Sequence, residues 1–213
     1  MPKNMYIISI EGCDGVGKST LIDLLSNHYK NFANICFVKN ATNKKLDEKV
    51  VLYRNSRKHD PFIHMYLEFL STHITLIDTL DSMKNIPENM ERVIVFDRYW
   101  YSLLAYTNIL SGQNVDDTIM KFLPKPDLVV YLNCKPENSY FRKYEFEAIE
   151  SGCKTGNHFA NYCDFQKKIH YEYRRLLNKY DQKKIELMTD ELPLQCLLLK
   201  VIEKIDERSK QNE

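Results

Sequence analysis

Three features that mark other protein classes are missing from this sequence of 213 residues. No apolar run approaches the roughly 20 residues that a membrane-spanning helix needs, and the four residues before the first apolar segment are too short for a transit peptide. The 30 Lys and Arg residues nearly balance the 29 Asp and Glu residues, so the chain has no general positive field for nucleic acid. We therefore expect a small-molecule partner, with neither a membrane nor a nucleic acid.

Paired cysteine spacing is also missing. The six cysteines, at positions 13, 36, 134, 153, 163 and 196, form no C-x-x-C motif. Without a signal peptide, this pattern predicts reduced thiols and a cytoplasmic location. The chain shows no internal repeat, low-complexity tract or linker, so residues 1–213 are expected to form a single α/β domain.

The most informative stretch that is present reads Ile-Ile-Ser-Ile-Glu-Gly-Cys-Asp-Gly-Val-Gly-Lys-Ser-Thr, at residues 7–20. It is a short apolar strand, a G-x-x-x-x-G-K-S loop and the start of a helix, which is the context that identifies a phosphate-binding loop. The glycines let backbone N–H groups turn toward a phosphate, and the helix N-terminus adds partial positive charge. Lys18 is placed to reach the β- and γ-phosphates, and the Ser19 hydroxyl to bind Mg²⁺.

This loop predicts a binding site for ATP or a similar nucleoside triphosphate. Its residues are Gly12, Cys13, Asp14, Gly15, Val16, Gly17, Lys18, Ser19 and Thr20. The Cys13 thiol is either accessible, and then covered by the nucleotide, or turned away from the ligand.

Strands alternate with helical stretches along the chain, which predicts a parallel sheet with helices on both faces. The strand candidates are 5–11, 35–39, 93–97, 128–133 and 185–188. Helix one carries an apolar stripe of Leu21, Leu24, Leu25 and His28. A long helix is predicted to start at Asp60-Pro61 and to end near Met83, because an N-cap carboxylate and a proline at N1 precede a periodic stripe. That stripe comprises Met65, Phe69, His73, Leu76, Ile77 and Leu80.

A second chemical cluster ends the third predicted strand, at Asp97-Arg98. In open parallel sheets the ligand lies beyond the carboxyl ends of the strands, so these side chains are expected beside the phosphate loop. Asp97 can hold Mg²⁺ directly or through water, and the planar fork of Arg98 suits a phosphate. The alternative is an ordinary surface ion pair that follows a core strand.

Three segments together resemble the thymidylate kinase family, over residues 5 to 190 or so. The phosphate loop resembles the family signature, 97–107 resembles its D-R-Y-x-x-S-x-x-A-Y segment, and 126–142 resembles its P-D-L-x-x-Y-L…P-E…R stretch. Phe165-Gln166 with Tyr173 fits the helix after the family's lid. The Arg-Tyr-Trp triplet at 98–100 also resembles the mitochondrial-type UMP-CMP kinases.

The resemblance implies the three-layer P-loop NTPase fold with a five-stranded parallel sheet, and transfer of the ATP γ-phosphoryl group to a nucleoside monophosphate with Mg²⁺. It implies that Arg98 clamps the acceptor phosphate, that Asp14 approaches the sugar 3′-hydroxyl and that Ser102 belongs to the substrate site. It places Phe69 and His73 where the family has F-x-x-x-R, so Phe69 would stack on the base and His73 would read it. The alternative for both residues is core packing beneath the lid. It also favours a homodimer.

The sequence departs from the family at its additional arginines. The family supplies a transition-state arginine from the phosphate loop or the lid, but the loop position is Gly15 here and the predicted lid, about 143–160, offers Lys154 as the nearest substitute. With Lys18, Asp97 and Arg98, Lys154 completes the predicted catalytic set. A phosphate-contacting arginine after the second strand is also missing, and its candidate replacements are Lys44, Lys45, Arg54 and Arg57.

Several functions remain open on the sequence alone. A pyrimidine nucleoside monophosphate kinase with dTMP as acceptor is the leading hypothesis. A UMP/CMP or deoxynucleoside kinase on the same scaffold is the alternative within enzymes. A nucleotide-binding module with impaired catalysis is a third, because one missing arginine can cost several powers of ten in rate.

Overall fold

The sheet of this protein contains five parallel strands in the order β2-β3-β1-β4-β5. The structure is a computed structural model that describes residues 4–39, 48, 60–115, 117–152 and 154–210. The strands are β1 Met5–Gly12, β2 Ile35–Lys39, β3 Arg92–Asp97, β4 Leu128–Asn133 and β5 Lys183–Met188. All five predicted strands are confirmed, and their continuous apolar sequences match the burial of β1, β3 and β4 on both faces.

Helices pack on both faces of this sheet. They are α1 Lys18–His28, α2 Pro61–Ser82, α3 Trp100–Ser111, α4 Pro136–Phe141, α5 His158–Lys179 and α6 Leu194–Lys210, with 3₁₀ turns at Asp117–Phe122 and Ala148–Ser151. The α1 helix contacts α6, whereas α3 contacts both α2 and α5. Because right-handed crossovers in opposite directions along a sheet lie on opposite faces, these two groups form the outer layers. Within the described residues, no helix is long and apolar enough to cross a membrane.

The α2 helix begins where the sequence predicts it. The Asp60 carboxylate accepts hydrogen bonds from the backbone N–H groups of Phe62 and Ile63 at 2.8 and 3.0 Å, and Pro61 occupies the first turn. The predicted buried stripe is only partly correct. Met65 and Leu76 are buried, but Ile77 is 49% exposed. The buried face of α2 differs from the predicted stripe because the elements that cover this helix, α3 and β2, lie on one side of it.

The first helix shows a smaller correction of the same kind. Leu21 and Leu25 are fully buried as predicted, but His28 is exposed and Ile22 takes the buried place beside them. The three residues of the predicted stripe that lie in or near the core are leucines. The fourth, which is exposed, is the polar His28.

Strand register brings the two predicted chemical clusters together. Ile10 of β1 pairs with Asp97 of β3, and Gly12 pairs with Leu132 of β4. The loop after β1 and the turn after β3 therefore leave the sheet at the same edge, as expected for parallel strands. The predicted replacements Lys44, Lys45, Arg54 and Arg57, and Cys153 of the predicted lid, lie outside the described residues.

Candidate active site

The phosphate loop has the backbone geometry that its glycines permit. Gly17 precedes α1 with φ of 95°, in the left-handed region that side chains rarely adopt. A Cβ atom on Gly12 would collide with the carbonyl oxygen of Leu132 on the neighbouring strand. These two positions require glycine, one for backbone conformation and one for close approach.

Lys18 is buried inside this loop. Its Nζ donates hydrogen bonds to the carbonyl oxygens of Gly12 at 3.1 Å and of Cys13 at 2.5 Å. Burial, together with the nearby positive charge of Arg98, lowers the pKa of Lys18 to about 8. Ser19 and Thr20 are exposed at the start of α1. The amine is thus held by the carbonyl oxygens of the loop.

The Cys13 thiol is turned away from solvent. Its Sγ lies 3.6 Å from the carbonyl oxygen of Gln166, and burial raises its pKa to about 12. Of the two alternatives that the sequence left open, the structure shows the second. Cys13 can contribute to a phosphate site through its backbone N–H.

Arg98 occupies a strained backbone position at the end of β3. It is the one non-glycine residue with positive φ (64°) in the described part of the chain. Its backbone N–H donates to the Ile10 carbonyl at 3.0 Å, which ties the turn to β1. Such strain is retained where the surroundings fix the conformation, and here it aims the guanidinium at the phosphate loop.

The guanidinium of Arg98 forms a partly buried ion pair with Asp14 of the loop. Arg98 also donates to the Gly12 carbonyl at 3.2 Å and to the Tyr173 hydroxyl at 3.4 Å. Burial alone would raise the pKa of Asp14, but the positive charges of Arg98 and Lys18 outweigh it and lower that pKa. The predicted convergence of Asp14, Arg98 and Lys18 is therefore present.

Several residues that hold Asp14 were not predicted as site residues. Tyr106 donates to Asp14 Oδ2 at 2.5 Å, and Gln166 Nε2 donates to the same oxygen at 3.2 Å. Gln166 Oε1 accepts from the Asp14 backbone N–H at 3.0 Å, while Tyr162 donates to the Asp14 carbonyl at 2.8 Å. All three come from segments that the family resemblance quotes or adjoins, and α5 supplies two of them.

Glu11 is a second residue that the sequence analysis did not assign. Its carboxylate is fully buried and accepts from the Tyr99 backbone N–H at 3.0 Å, from Ser102 Oγ at 2.5 Å and from Tyr173 Oη at 3.4 Å. Burial raises its pKa, although the Ser102 hydrogen bond and the charge of Arg98 oppose that effect. The feature of the sequence that could have identified Glu11 is a single carboxylate at the end of an apolar strand. Ser102, which was predicted to bind the substrate, thus lies between Glu11 and Arg98.

The residues predicted to hold Mg²⁺ fit a hard cation. Asp97 Oδ1 is buried and has no hydrogen-bond partner among the described residues, which is unusual for a carboxylate oxygen. Asp97 is the last residue of β3, at the sheet edge where the loop after β1 leads into α1, whose second residue is Ser19. A carboxylate and a hydroxyl are the ligand types that Mg²⁺ takes, with water completing its shell.

A cavity of about 230 Å³ begins at Arg98 and extends between α2, α3 and the 3₁₀ turn at Ala148–Ser151. Its wall from the sheet edge and α3 comprises Asp14, Arg98, Tyr99, Ser102, Leu103, Tyr106 and Thr107. The α2 wall comprises His64, Met65, Glu68 and Thr72, and the third wall Glu147, Ile149 and Glu150.

Phe69 and His73 are not among the residues that line this cavity, and their base-binding role stays a prediction. Glu68 and Thr72, each one residue earlier in the chain, line it together with His64 and Met65. Phe69 packs against the core, with its ring 6.1 Å from that of His73.

The predicted role of Lys154 has no support in its position. Its side chain is 52% exposed and pairs with Asp164 at 3.1 Å. Lys143, which was not predicted as a site residue, pairs with Glu150 at 2.6 Å, and its stem lies where a side chain on Gly15 would project. Of these two lysines, Lys143 is therefore the one that lies next to the phosphate loop.

The sequence of this chain is similar to those of known proteins. The family model described as thymidylate kinase matches residues 10–197. The chain belongs to the thymidylate kinase family. Thymidylate kinase from Dictyostelium discoideum is 30% identical over 186 residues, which cover 83% of this chain and 75% of that protein. The probable thymidylate kinase 1 of Saccharolobus solfataricus is 29% identical over 150 residues, covering 66% of this chain and 74% of that one.

A solved structure agrees with the fold. The crystal structure of thymidylate kinase from Ehrlichia chaffeensis matches with a TM-score of 0.65 and covers 95% of this chain and 99% of its own. Its sequence identity is 16%, so this likeness establishes the P-loop NTPase fold. The family membership rests on the sequence comparisons.

Residues 139–143 contact the phosphate loop at Gly15. We therefore expect that adding a methyl group at Gly15 lowers the free energy of unfolding. A Cβ there would lie 2.6 Å from the Ser139 carbonyl, whereas at Gly112, where φ is a similar 67°, it would meet nothing within 4 Å. Gly112→Ala should lose about 1–2 kcal/mol of unfolding free energy from backbone strain. Gly15→Ala should lose roughly 1–3 kcal/mol more from overpacking.

Urea unfolding without nucleotide measures both values. Equal losses in the two variants would mean that the Ser139–Lys143 segment does not rest on the loop as described.

Proposed function

We propose that this chain transfers the γ-phosphoryl group of ATP to dTMP with Mg²⁺, forming dTDP. The observation that carries the proposal is the meeting of two phosphate-binding groups at one sheet edge. One is the loop around Lys18, and the other is Arg98, which Asp14 fixes at the mouth of the cavity. Membership of the thymidylate kinase family supports the reaction and the acceptor.

The donor side of the reaction needs charge neutralisation. Backbone N–H groups of the loop and the α1 N-terminus face the ATP phosphates, and Lys18 would exchange its two carbonyl partners for phosphate oxygens. Ser19 and Asp97 would hold Mg²⁺, which when bound neutralises charge on the β- and γ-phosphate oxygens. The buried oxygen of Asp97 without a partner is the support for that assignment.

The acceptor side needs a fixed direction for the incoming phosphate. Arg98 offers a planar fork whose orientation is set by Asp14, the Gly12 carbonyl and Tyr173. Because phosphoryl transfer depends chiefly on in-line positioning, this preorganised cation can supply much of the catalysis. Asp14 is placed by Tyr106 and Gln166, close to where the resemblance puts the sugar.

Lys143 replaces Lys154 in this proposal as the additional cation at the transferring group. Its stem crosses Gly15, the position where the family can carry an arginine, and its Nζ lies against Glu150. A cation there is close to the loop and 22% exposed, whereas Lys154 is held in a surface pair with Asp164. Surface pairs of that kind contribute little.

Two charge-removing variants test this assignment. Lys143→Met keeps the stem that packs on Gly15 and removes the charge, so we expect kcat to fall by about 100-fold, as for other preorganised donors. Lys154→Met should leave kcat within about twofold, because its charge is screened by solvent. Steady-state rates at saturating ATP and dTMP measure both, and the reverse ranking would return the role to Lys154.

An assay of ADP formation across several acceptors tests the proposed function. We expect dTMP to give the highest kcat/KM among dTMP, dUMP, UMP, CMP, dCMP and free thymidine. A preference for UMP or CMP, or for thymidine, would identify one of the two alternative kinases. Absence of turnover with every acceptor, although the folded protein binds ATP, would favour the nucleotide-binding module. Lys18→Ala is the inactive control.

We also propose that the protein is a homodimer that pairs through α2. Four apolar side chains, Ile63, Tyr66, Leu70 and Ile77, are 46 to 55% exposed and lie at spacings of three, four and seven along that helix. Such spacings place them on one face, and a continuous apolar face typically marks a protein contact. The free thiols of the described cysteines fit our proposal of a reducing, cytoplasmic location.

Sedimentation velocity tests the dimer. We expect wild-type protein to sediment as a dimer and Leu70→Lys as a monomer, because the lysine places a charge in the apolar contact. Leu199→Lys, on α6 and 56% exposed in the wild type, is the matched control and should remain dimeric. A monomeric wild type, or dissociation caused by the Leu199 variant instead, would contradict this interface.

A further inference from the structure

The α2 wall of the cavity carries one carboxylate, one residue before the Phe69 that the family resemblance assigns to the base. Glu68 lines the cavity, with its side chain 19% exposed, and its Oε1 lies 3.4 Å from Nε2 of His64 one turn earlier. Its other carboxylate oxygen has no partner among the described residues. An ionised carboxylate only accepts hydrogen bonds.

Hydroxyl groups around the same cavity do not supply donors to a ligand, because each already donates to the protein. Thr72 donates to the Glu68 carbonyl at 2.8 Å, and Thr107 to the Leu103 carbonyl at 2.7 Å. The remaining hydroxyls donate in the same way, Ser102 to Glu11, Tyr106 to Asp14 and Tyr99 to the Pro124 carbonyl. The hydrogen-bonding capacity that remains on these hydroxyls is that of acceptors.

The other acidic side chains of the cavity are engaged. Asp14 binds Arg98 and Tyr106, and Glu150 accepts from Lys143 and from the Glu147 backbone N–H. Glu147 completes the capping box of the 3₁₀ turn. The cavity is therefore polarised, with the Arg98 cation at one end and the Glu68 acceptor on the α2 wall.

We propose that Glu68 is the residue that reads the acceptor base, by accepting a hydrogen bond from the imide N3–H of thymine. This inference rests on the proposed function, which supplies a base whose N3 is a donor. Cytosine carries a lone pair at N3, so the same carboxylate would repel it. Rejection of a base that lacks the required N–H is strong when the partner group would be left buried without a hydrogen bond. Met65 and Leu103 supply apolar walls beside this acceptor.

Glu68→Gln tests the contact while preserving side-chain shape. Glutamine weakens acceptance and adds a donor that cytosine N3 can accept. We expect kcat/KM for dTMP to fall about tenfold, as for the loss of a charge-assisted hydrogen bond, and kcat/KM for dCMP to rise. The KM for ATP should not change. Asp78→Asn, an exposed carboxylate on the same helix, is the matched control and should leave the dTMP-to-dCMP ratio unaltered.

The N3-methyl analogue of dTMP separates this contact from a structural role of the His64–Glu68 pair. It lacks the donor, so wild-type kcat/KM for it should fall, and Glu68→Gln should cause no further loss with it. A ratio of dTMP to dCMP that Glu68→Gln leaves unchanged, or an equal loss on dTMP and its analogue, would overturn the proposal. An increase for dTMP with a loss for dCMP would also overturn it, since the carboxylate would then be accepting from a cytosine amino group. If wild-type protein phosphorylates none of these acceptors, the proposed function itself fails.

Discussion

The ion pair between Arg98 and Asp14 connects the two halves of the site. Asp14 belongs to the loop after β1, and Arg98 belongs to the turn after β3, so the pair fixes that loop relative to that turn. Both side chains are mostly removed from water, at 17 and 14% exposure. A pair in such surroundings is costly to desolvate and is retained only with good geometry and further hydrogen bonds.

Those further hydrogen bonds explain why the neighbouring polar residues are buried. Tyr106 and Gln166 satisfy Asp14, while Tyr173 and the Gly12 carbonyl satisfy Arg98. Glu11 lies one layer deeper, where it orients Ser102, Tyr173 and the Tyr99 backbone that follows Arg98. The result is a continuous polar network inside an otherwise apolar layer, and such networks specify a single arrangement when every member is satisfied. It allows the chain to hold Arg98 in a left-handed conformation.

Features that depend on residues close together in the sequence could be predicted from it. Features that depend on packing between distant segments could not. The phosphate loop, the β3 terminus and the Asp60-Pro61 helix start are encoded by neighbouring residues, and all were found. The α2 residues that line the cavity were not predicted, because the spacing of Phe69 and His73 does not fix how the helix is rotated against its neighbours. Lys143 was missed because its place beside Gly15 depends on packing between segments distant in sequence. The burial of Cys13 against α5 depends on the same long-range contact.

We infer that the planar fork of Arg98, oriented by Asp14, holds the acceptor phosphate. Measuring kcat/KM for dTMP in the Arg98→Lys variant tests it directly, because lysine keeps the charge and loses the bidentate geometry. The account predicts a loss of roughly 2–4 kcal/mol in transition-state stabilisation, comparable to removing one preorganised donor, with the KM for ATP little changed. A folded Arg98→Lys enzyme with near-wild-type kcat/KM for dTMP would contradict it.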